Sequence, residues 1–328
     1  MNAAELAAAL RASRGFAHKR DIADVMAKLD GLLPQGTRSM GQAVAVGDDC
    51  AAIADGDGYL LFAIEGMVES FVQHMPWFAG WCGVMVNVSD IYAMGGRPIA
   101  VVDALWSRGM EPGAQVLEGL AAASQRYGVP IVGGHSNSQC ERGQLAVAIL
   151  GRAQRLLTSF DASPGDQLLM AVDLRGSYQE PYAYWNAATG APGSRLREDL
   201  EVLPTLAEDG LCGAAKDISM AGAIGTALML LECSRVGAVI DVEAIPRPAE
   251  VDDDAALLRW LGAFPSYGFV LSVAPAQVAA VRARFAQREI ECAVVGEVTA
   301  SREVLLRHAD GTARLWHTDE PFITVGPR

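Results

Sequence analysis

The run Val46-Gly47-Asp48-Asp49-Cys50-Ala51-Ala52-Ile53 sets two adjacent carboxylates behind a glycine, inside an otherwise apolar, strand-like stretch. Burying a carboxylate without a partner costs several kcal/mol, and two neighbouring carboxylates repel each other. A chain that places both there calls for a cation to receive them. No His or Cys pair stands nearby, and oxygen-only ligands suit a hard ion, Mg2+ before Zn2+. The competing reading is a solvated turn that ends a strand, for which Gly and Asp are ordinary residues.

A second acidic position lies one helix further on. Trp77, Trp81, Val84, Val88 and Ile91 recur at helical spacing within 77–94. Asn87 and Asp90 are three apart and share one face of that helix. Gly95-Gly96 stops the helix, and Arg97-Pro98 leads into the β-branched run 99–105. A carboxylate amid Val, Met, Ile and Tyr is odd on a purely structural helix; the alternative is an exposed polar stripe.

The elements that must position these groups alternate between helix and strand. Helices are expected over 1–12, 21–33, 116–127 (closed by Gly128), 195–208 and 217–233. Strands are expected at 59–64, 99–105, 145–150, 168–172, 238–242, 269–274 and 293–298. Between Arg152 and Gly165, the segment Ser-Phe-Asp-Ala-Ser-Pro-Gly breaks the periodicity and marks a domain boundary.

Composition sets limits. The chain has 328 residues, half of them hydrophobic, enough for one large domain or two ordinary ones. The net charge of −13 excludes a nucleic-acid backbone as a natural partner. Six cysteines stand singly, with no C-x-x-C pair for zinc or redox work. The most apolar helix candidate, 224–236, is interrupted by Glu232 and Arg235 and is too short to span a bilayer. The first twenty residues hold no unbroken apolar core of a secretory leader. The expectation is a cytoplasmic, reduced enzyme with no membrane segment.

Three motifs occur in order: Gly47-Asp48-Asp49-Cys50-Ala51-Ala52-Ile53, then Val86-Asn87-Val88-Ser89-Asp90-Ile91-Tyr92-Ala93-Met94-Gly95-Gly96-Arg97-Pro98, then Gly133-Gly134-His135-Ser136-Asn137. Together they resemble the signature of an ATP-using superfamily. It includes aminoimidazole ribonucleotide synthetase, thiamine-monophosphate kinase, selenophosphate synthetase and a hydrogenase maturation factor. The wording around the motifs is most similar to a synthetase-related branch. The resemblance implies an N-terminal α/β domain (1–155) that forms a dimeric β-barrel, and a C-terminal α+β domain (156–328). It places an ATP cleft between them and makes the protein a homodimer acting on a small-molecule substrate.

The chain has neither G-x-x-x-x-G-K-[ST] nor a G-x-G-x-x-G that opens a helix, so phosphate would be held mainly by metal. A carboxylate cage with Mg2+ bridges phosphate oxygens and neutralises charge as it moves. The resemblance assigns the metal to Asp48, Asp49 and Asp90, with Glu65 and Asp217 completing the cage. Asn87, Gly133 and Gly134 would stand by the nucleotide, and His135 would orient acceptor or phosphate. Only three lysines occur, and Lys19 lies in the basic run His18-Lys19-Arg20, where Lys19 and Arg20 could reach phosphates. That run also reads as a solvated charge cluster, His135 as a structural histidine, and Asp217 as a helix-capping acid.

The departures from the kinase pattern fall in the acceptor half. Glu65 stands where the kinase has a threonine pair and an aspartate. His135 replaces an acid, Met220 replaces a metal-binding Asp, and Phe264-Pro265-Ser266-Tyr267 replaces an acidic substrate loop. The expected activity is ATP- and Mg2+-dependent phosphoryl transfer to, or activation of, a small molecule other than thiamine phosphate. The alternatives are a cyclo-ligase of the aminoimidazole ribonucleotide synthetase type and a non-catalytic nucleotide-binding partner protein.

Overall fold

The computed structural model describes residues 1–32 and 47–323, so Val46, at the head of the acidic run, lies outside the described residues. In chain order the elements begin with helices α1 (Ala3–Arg11) and α2 (Arg14–Leu32). There follow β1 (Ala51–Asp55), β2 (Gly58–Met67), α3 (Glu69–His74), α4 (Pro76–Ala93), β3 (Arg97–Arg108), α5 (Met110–Tyr127), β4 (Ile131–Asn137) and β5 (Gln139–Ala153). Next come β6 (Gln167–Val172), β7 (Ser177–Tyr178), β8 (Tyr184–Asn186), α6 (Gly193–Leu200), α7 (Val202–Glu208), β9 (Ala214–Asp217) and α8 (Gly222–Ser234). The chain ends with β10 (Gly237–Asp241), α9 (Asp254–Leu261), β11 (Phe264–Pro265), β12 (Gly268–Val273), α10 (Val278–Ala286), β13 (Glu291–Thr299), β14 (Glu303–His308) and β15 (Gly311–His317).

Contacts divide the chain into two units. The smaller comprises Asp49–Leu156 and Thr189–Thr205; the larger comprises Met1–Asp48, Leu157–Ala188 and Leu206–Arg328. Segment 1–48 thus belongs with the C-terminal portions of the chain, and 189–205 with the N-terminal ones. The reason is tertiary. Leu6 and Leu10 of α1 join the larger unit's core, Arg11 donates to the carbonyls of Arg314 and Leu315, and the Phe16 ring lies 5.0 Å from that of Phe322. In the other direction, Arg97 Nε donates to Glu201 Oε1 at 2.7 Å, and Arg197 donates to the carbonyl of Arg126 at 2.7 Å.

In the smaller unit five strands form an open sheet in the order β1-β2-β5-β3-β4, antiparallel except for the β3/β4 pair. Leu61, Ala63, Val147, Ile149 and Val101 alternate inward and are buried. Helix α4 is buried from Phe78 to Ala93, the signature of a helix surrounded on all sides. It lies close against α5 through glycines. A Cβ on Gly80 would come within 2.1 Å of the Val116 carbonyl, and one on Gly119 within 1.9 Å of the Trp77 carbonyl.

The sheet's other face is open. Phe62, Ile64, Ile99, Val102 and Leu150 are exposed. Register places Phe62 opposite Leu150, and Ile64 and Val102 on either side of Ala148. Among the described residues this sheet is open, with β1 and β4 at its edges.

The larger unit carries a seven-stranded sheet, β15-β14-β10-β13-β6-β12-β9, and a small sheet, β11-β8-β7. Its helix α8 is the central apolar element, buried at nearly every position. The single helix expected over 217–233 is corrected here. Ala214–Asp217 is a strand paired with β12, Asp217 opposite Phe269, and the helix starts only at Gly222. Gly222 has φ 67°, and a Cβ there would meet the Leu261 carbonyl at 2.0 Å. Asp217 therefore ends a strand and does not cap a helix. The helix expected over 195–208 is split at Glu201, and Pro204, which has no N–H to give, stands in the first turn of α7. Among the described residues no helix is long and apolar enough to cross a membrane.

Candidate metal centre

Gly47 takes φ 120°, a conformation open to glycine and strained for other residues, and so turns the chain into the acidic pair. The two carboxylates then part company. Asp48 accepts from the backbone N–H of Ser159 at 2.7 Å and from its hydroxyl at 2.6 Å. Asp49 keeps a half-buried carboxylate with an oxygen within 4.8 Å of one of Asp90.

Helix α4, buried along most of its length, delivers Asp90, which is only 6% exposed. One turn earlier, Asn87 is completely buried. Its amide donates to the Gly83 carbonyl at 2.8 Å and to the Val147 carbonyl at 3.0 Å, so it pins α4 to β5. Among the described residues its buried Oδ1 has no hydrogen-bond partner. Both amide protons are thus engaged by backbone.

Two carboxylates at this separation, one of them buried, repel unless a cation lies between them. The donor set is oxygen only, which fits Mg2+. Such an ion would supply charge neutralisation and a bridge between phosphate oxygens.

The remaining expected site residues fall as follows. Glu65 is exposed on β2, opposite Val147. Asp217 and Lys216 are buried in β9 of the larger unit. His135 is exposed on the edge strand β4, with its ring 6.2 Å from that of Trp106. Gly133 has room for a side chain, since a Cβ there meets only Val102 at 3.8 Å, whereas Gly134 does not, because Asp103 fills the space. Lys19 is half-buried on α2, and the side chain of Arg20 lies outside the described residues. At the start of α2, Gly15 lies against 220–221; a Cβ on it would be 2.3 Å from the Met220 carbonyl. Met220 itself is 38% exposed.

Ser159 and Asp103 were not among the expected residues. The cue for Ser159 was its place in the periodicity-breaking segment 159–165. The cue for Asp103 was a lone acid in the β-branched run 99–105. Burial lifts the Asp103 carboxyl above the ordinary carboxylate range. In the same unit burial pushes the Tyr92 phenol up to about 12, and the nearby Glu201 charge adds to the effect.

Residues 47–153 match the N-terminal domain model of AIR synthase related protein, and residues 187–308 match the C-terminal domain model. An uncharacterised protein of Synechocystis is 46% identical over 316 residues, covering 96% of each chain. The thiamine-monophosphate kinase of Synechococcus elongatus is 27% identical over 294 residues, covering 81% of this chain and 87% of the kinase. Among solved structures, Thermotoga maritima PurL complexed with ATP has the same mixed α/β fold, with a TM-score of 0.71 at 18% identity. That match covers 87% of this chain and 48% of PurL, so the chain spans about half of PurL's length. With both domain models matched in order and a relative nearly half identical along its whole length, the chain belongs to the AIR synthase related family.

Proposed function

We propose that this protein is an ATP- and Mg2+-dependent enzyme that moves the γ-phosphoryl group of ATP onto an oxygen of a small molecule, as product or as an activated intermediate. The observation that carries this reading is the Asp49–Asp90 pair, one carboxylate buried in an apolar helix and the other brought within 4.8 Å of it. Family membership supports it: a thiamine-monophosphate kinase is a sequence relative, and PurL, which shares the fold, is solved in complex with ATP.

In this reading Asp49 and Asp90 hold the ion, with Glu65 and Asp217 as further acidic ligands. Lys19 and Arg20 face phosphate, Asn87 and the Gly133-Gly134 backbone shape the nucleotide's surroundings, and His135 orients the acceptor. The nucleotide cleft implied by the resemblance is part of the proposal. So is the homodimer: the exposed row of Phe62, Ile64, Val102 and Leu150 is a face that a second copy would cover. A ring-closing synthetase using the same groups is the second reading, suggested by the match to the AIR synthase related domain models.

Calorimetry tests the core of the proposal. ATP should bind with an affinity that falls steeply when Mg2+ is chelated, and equal affinity with and without the metal would remove the basis for the cage. Steady turnover of ATP with candidate acceptors then separates an enzyme from a binding module. A phosphorylated product as against a ring-closed one separates the two enzymes.

A further inference from the structure

Both oxygens of Asp48 are engaged by one residue, Ser159, through its backbone N–H at 2.7 Å and its hydroxyl at 2.6 Å. Hydrogen bonds to an ionised carboxylate are roughly twice as strong as neutral ones. Ser159 has no exposed surface. The segment around it is also held by bonds that do not involve Asp48. Thr158 N–H donates to the Gly213 carbonyl at 3.0 Å, and Thr158 Oγ1 donates to Asp161 Oδ2 at 2.5 Å while accepting from Phe160 N–H at 3.0 Å. Ser234 Oγ donates to the Ser159 carbonyl at 2.8 Å and accepts from Ala162 N–H at 3.0 Å.

The two partners also have telling places in the chain. Asp48 is the last residue before the chain leaves the larger unit, and Ser159 follows closely on its return at Leu157. The residue after Asp48 is Asp49, whose carboxylate meets that of Asp90. Among the described residues, Asp48 is not in the group of carboxylates close enough to share an ion.

We infer that Asp48 and Ser159 form a clasp that aims the Asp49 carboxylate at Asp90, so that Asp48 is a positioning residue and not a metal ligand. The inference rests on the metal reading above for its consequence and on the hydrogen bonds alone for its existence. A carboxylate that owes its direction to a neighbour loses metal affinity when that neighbour is cut.

A double-mutant cycle tests it, using the full chain, Mg2+ and ATP. In ligand-free urea unfolding, Asp48→Ala and Ser159→Ala should each destabilise, and the double variant should be no worse than the poorer single. In calorimetry, Asp48→Ala should weaken Mg2+-dependent ATP binding about tenfold; Ser159→Ala, which keeps the backbone N–H donor, should weaken it less but by more than about twofold, and the double variant should show no loss beyond that of Asp48→Ala. Additive unfolding effects would overturn the clasp. Loss of metal dependence in Asp48→Ala, with Ser159→Ala within about twofold of wild type, would make Asp48 a ligand and overturn the positioning role. Should Ser159→Ala fail to fold, Ser159→Cys keeps the backbone donor, as Ala does, and weakens the side-chain donor without removing it. It should show an intermediate loss of affinity; wild-type affinity would count against the clasp. A wild-type chain that couples Asp48 to Ser159 in unfolding but binds no Mg2+ or ATP would overturn the nucleotide reading and the positioning role, and leave the hydrogen bonds standing.

Discussion

The carboxylate of Asp103 occupies the space in which a side chain at position 134 would begin. A Cβ on Gly134 would lie 2.6 Å from Asp103 Oδ2 and 2.7 Å from the Asp103 carbonyl oxygen. The two residues are register partners across the parallel β3/β4 pair. The second glycine of the Gly-Gly-His motif is therefore a packing requirement of the sheet, whatever else it does. Gly134→Ala should destabilise by about 1–3 kcal/mol, the usual cost of overpacking. Asp103→Ala should relieve part of that loss but not all, because the carbonyl oxygen remains. Urea unfolding of both single variants and the double measures this, and a Gly134→Ala chain as stable as wild type would contradict it.

Asp103 also makes a pH prediction. Burial raises its folded pKa above the ordinary carboxylate value, which the unfolded chain keeps. A raised folded pKa means that the stability contributed by the proton is fully present below the unfolded pKa. It is lost as pH rises through the folded value. At neutral pH the ionised group is thus a liability. Asp103→Asn should raise Tm at pH 7 relative to wild type, and the gain should shrink as pH falls into the ordinary carboxylate range. A constant difference across that range would show that the carboxyl does not titrate as its burial implies.

Removal of the buried ligand should uncouple metal from nucleotide. Saturating Mg2+ and ATP at about a hundred times Kd stabilise a folded state by about 2.7 kcal/mol through mass action. Asp90→Asn keeps the shape and removes the charge, so the ligand-free chain should hold its fold, since the change relieves repulsion from Asp49. The rise in Tm on adding Mg2+ and ATP should disappear. A full thermal shift in Asp90→Asn would show that the ion does not use this group.

What could be read in advance follows from how local each feature is. Helix α4 and the place of Asp90 were legible because their spacing lies within one element. The Gly128 end of α5 was legible for the same reason, and it takes the left-handed conformation with φ 71°. Strand β9 was not. Its polar Lys216-Asp217 end looks like a helix start, and only pairing with the distant β12 makes it a strand. The packing of α1 and the start of α2 in the larger unit runs through the Arg314 and Leu315 carbonyls and Phe322, which no local pattern at Arg11 or Phe16 announces. The Asp48–Ser159 contact spans 111 positions and has no local signal. By contrast, the β14/β15 hairpin carried an Asp310-Gly311 turn signal that the periodicity reading passed over.

The open sheet face predicts self-association. Phe62 is 50% exposed and Ile64 is 64% exposed, and both stand in register with small or apolar neighbours on β5. Exposed apolar patches of this kind mark interfaces. Light scattering should give a dimer mass at micromolar concentration. Ile64→Lys should shift the mass to that of a monomer without lowering secondary structure, because the position is exposed within one chain. A wild-type monomer would refute the dimer.

The altered acceptor half gives the most discriminating prediction. Met220 stands in the turn between β9 and α8, 38% exposed, where the kinase pattern has a metal-binding aspartate. A thioether offers no hard oxygen to Mg2+. Tyr267, in the replaced substrate loop, is buried, with its ring 5.1 Å from that of Phe269, so this position is committed to packing. A site changed in this way should bind ATP without phosphorylating thiamine phosphate, and should hydrolyse little ATP in the absence of its own acceptor. Met220→Asp restores an oxygen ligand at an exposed turn that tolerates it, and should raise Mg2+ affinity measured by calorimetry in the presence of ATP. Phosphorylation of thiamine phosphate by the wild-type chain at about 1 per second or faster, an ordinary enzymatic rate, would show that these replacements leave the kinase's acceptor chemistry intact.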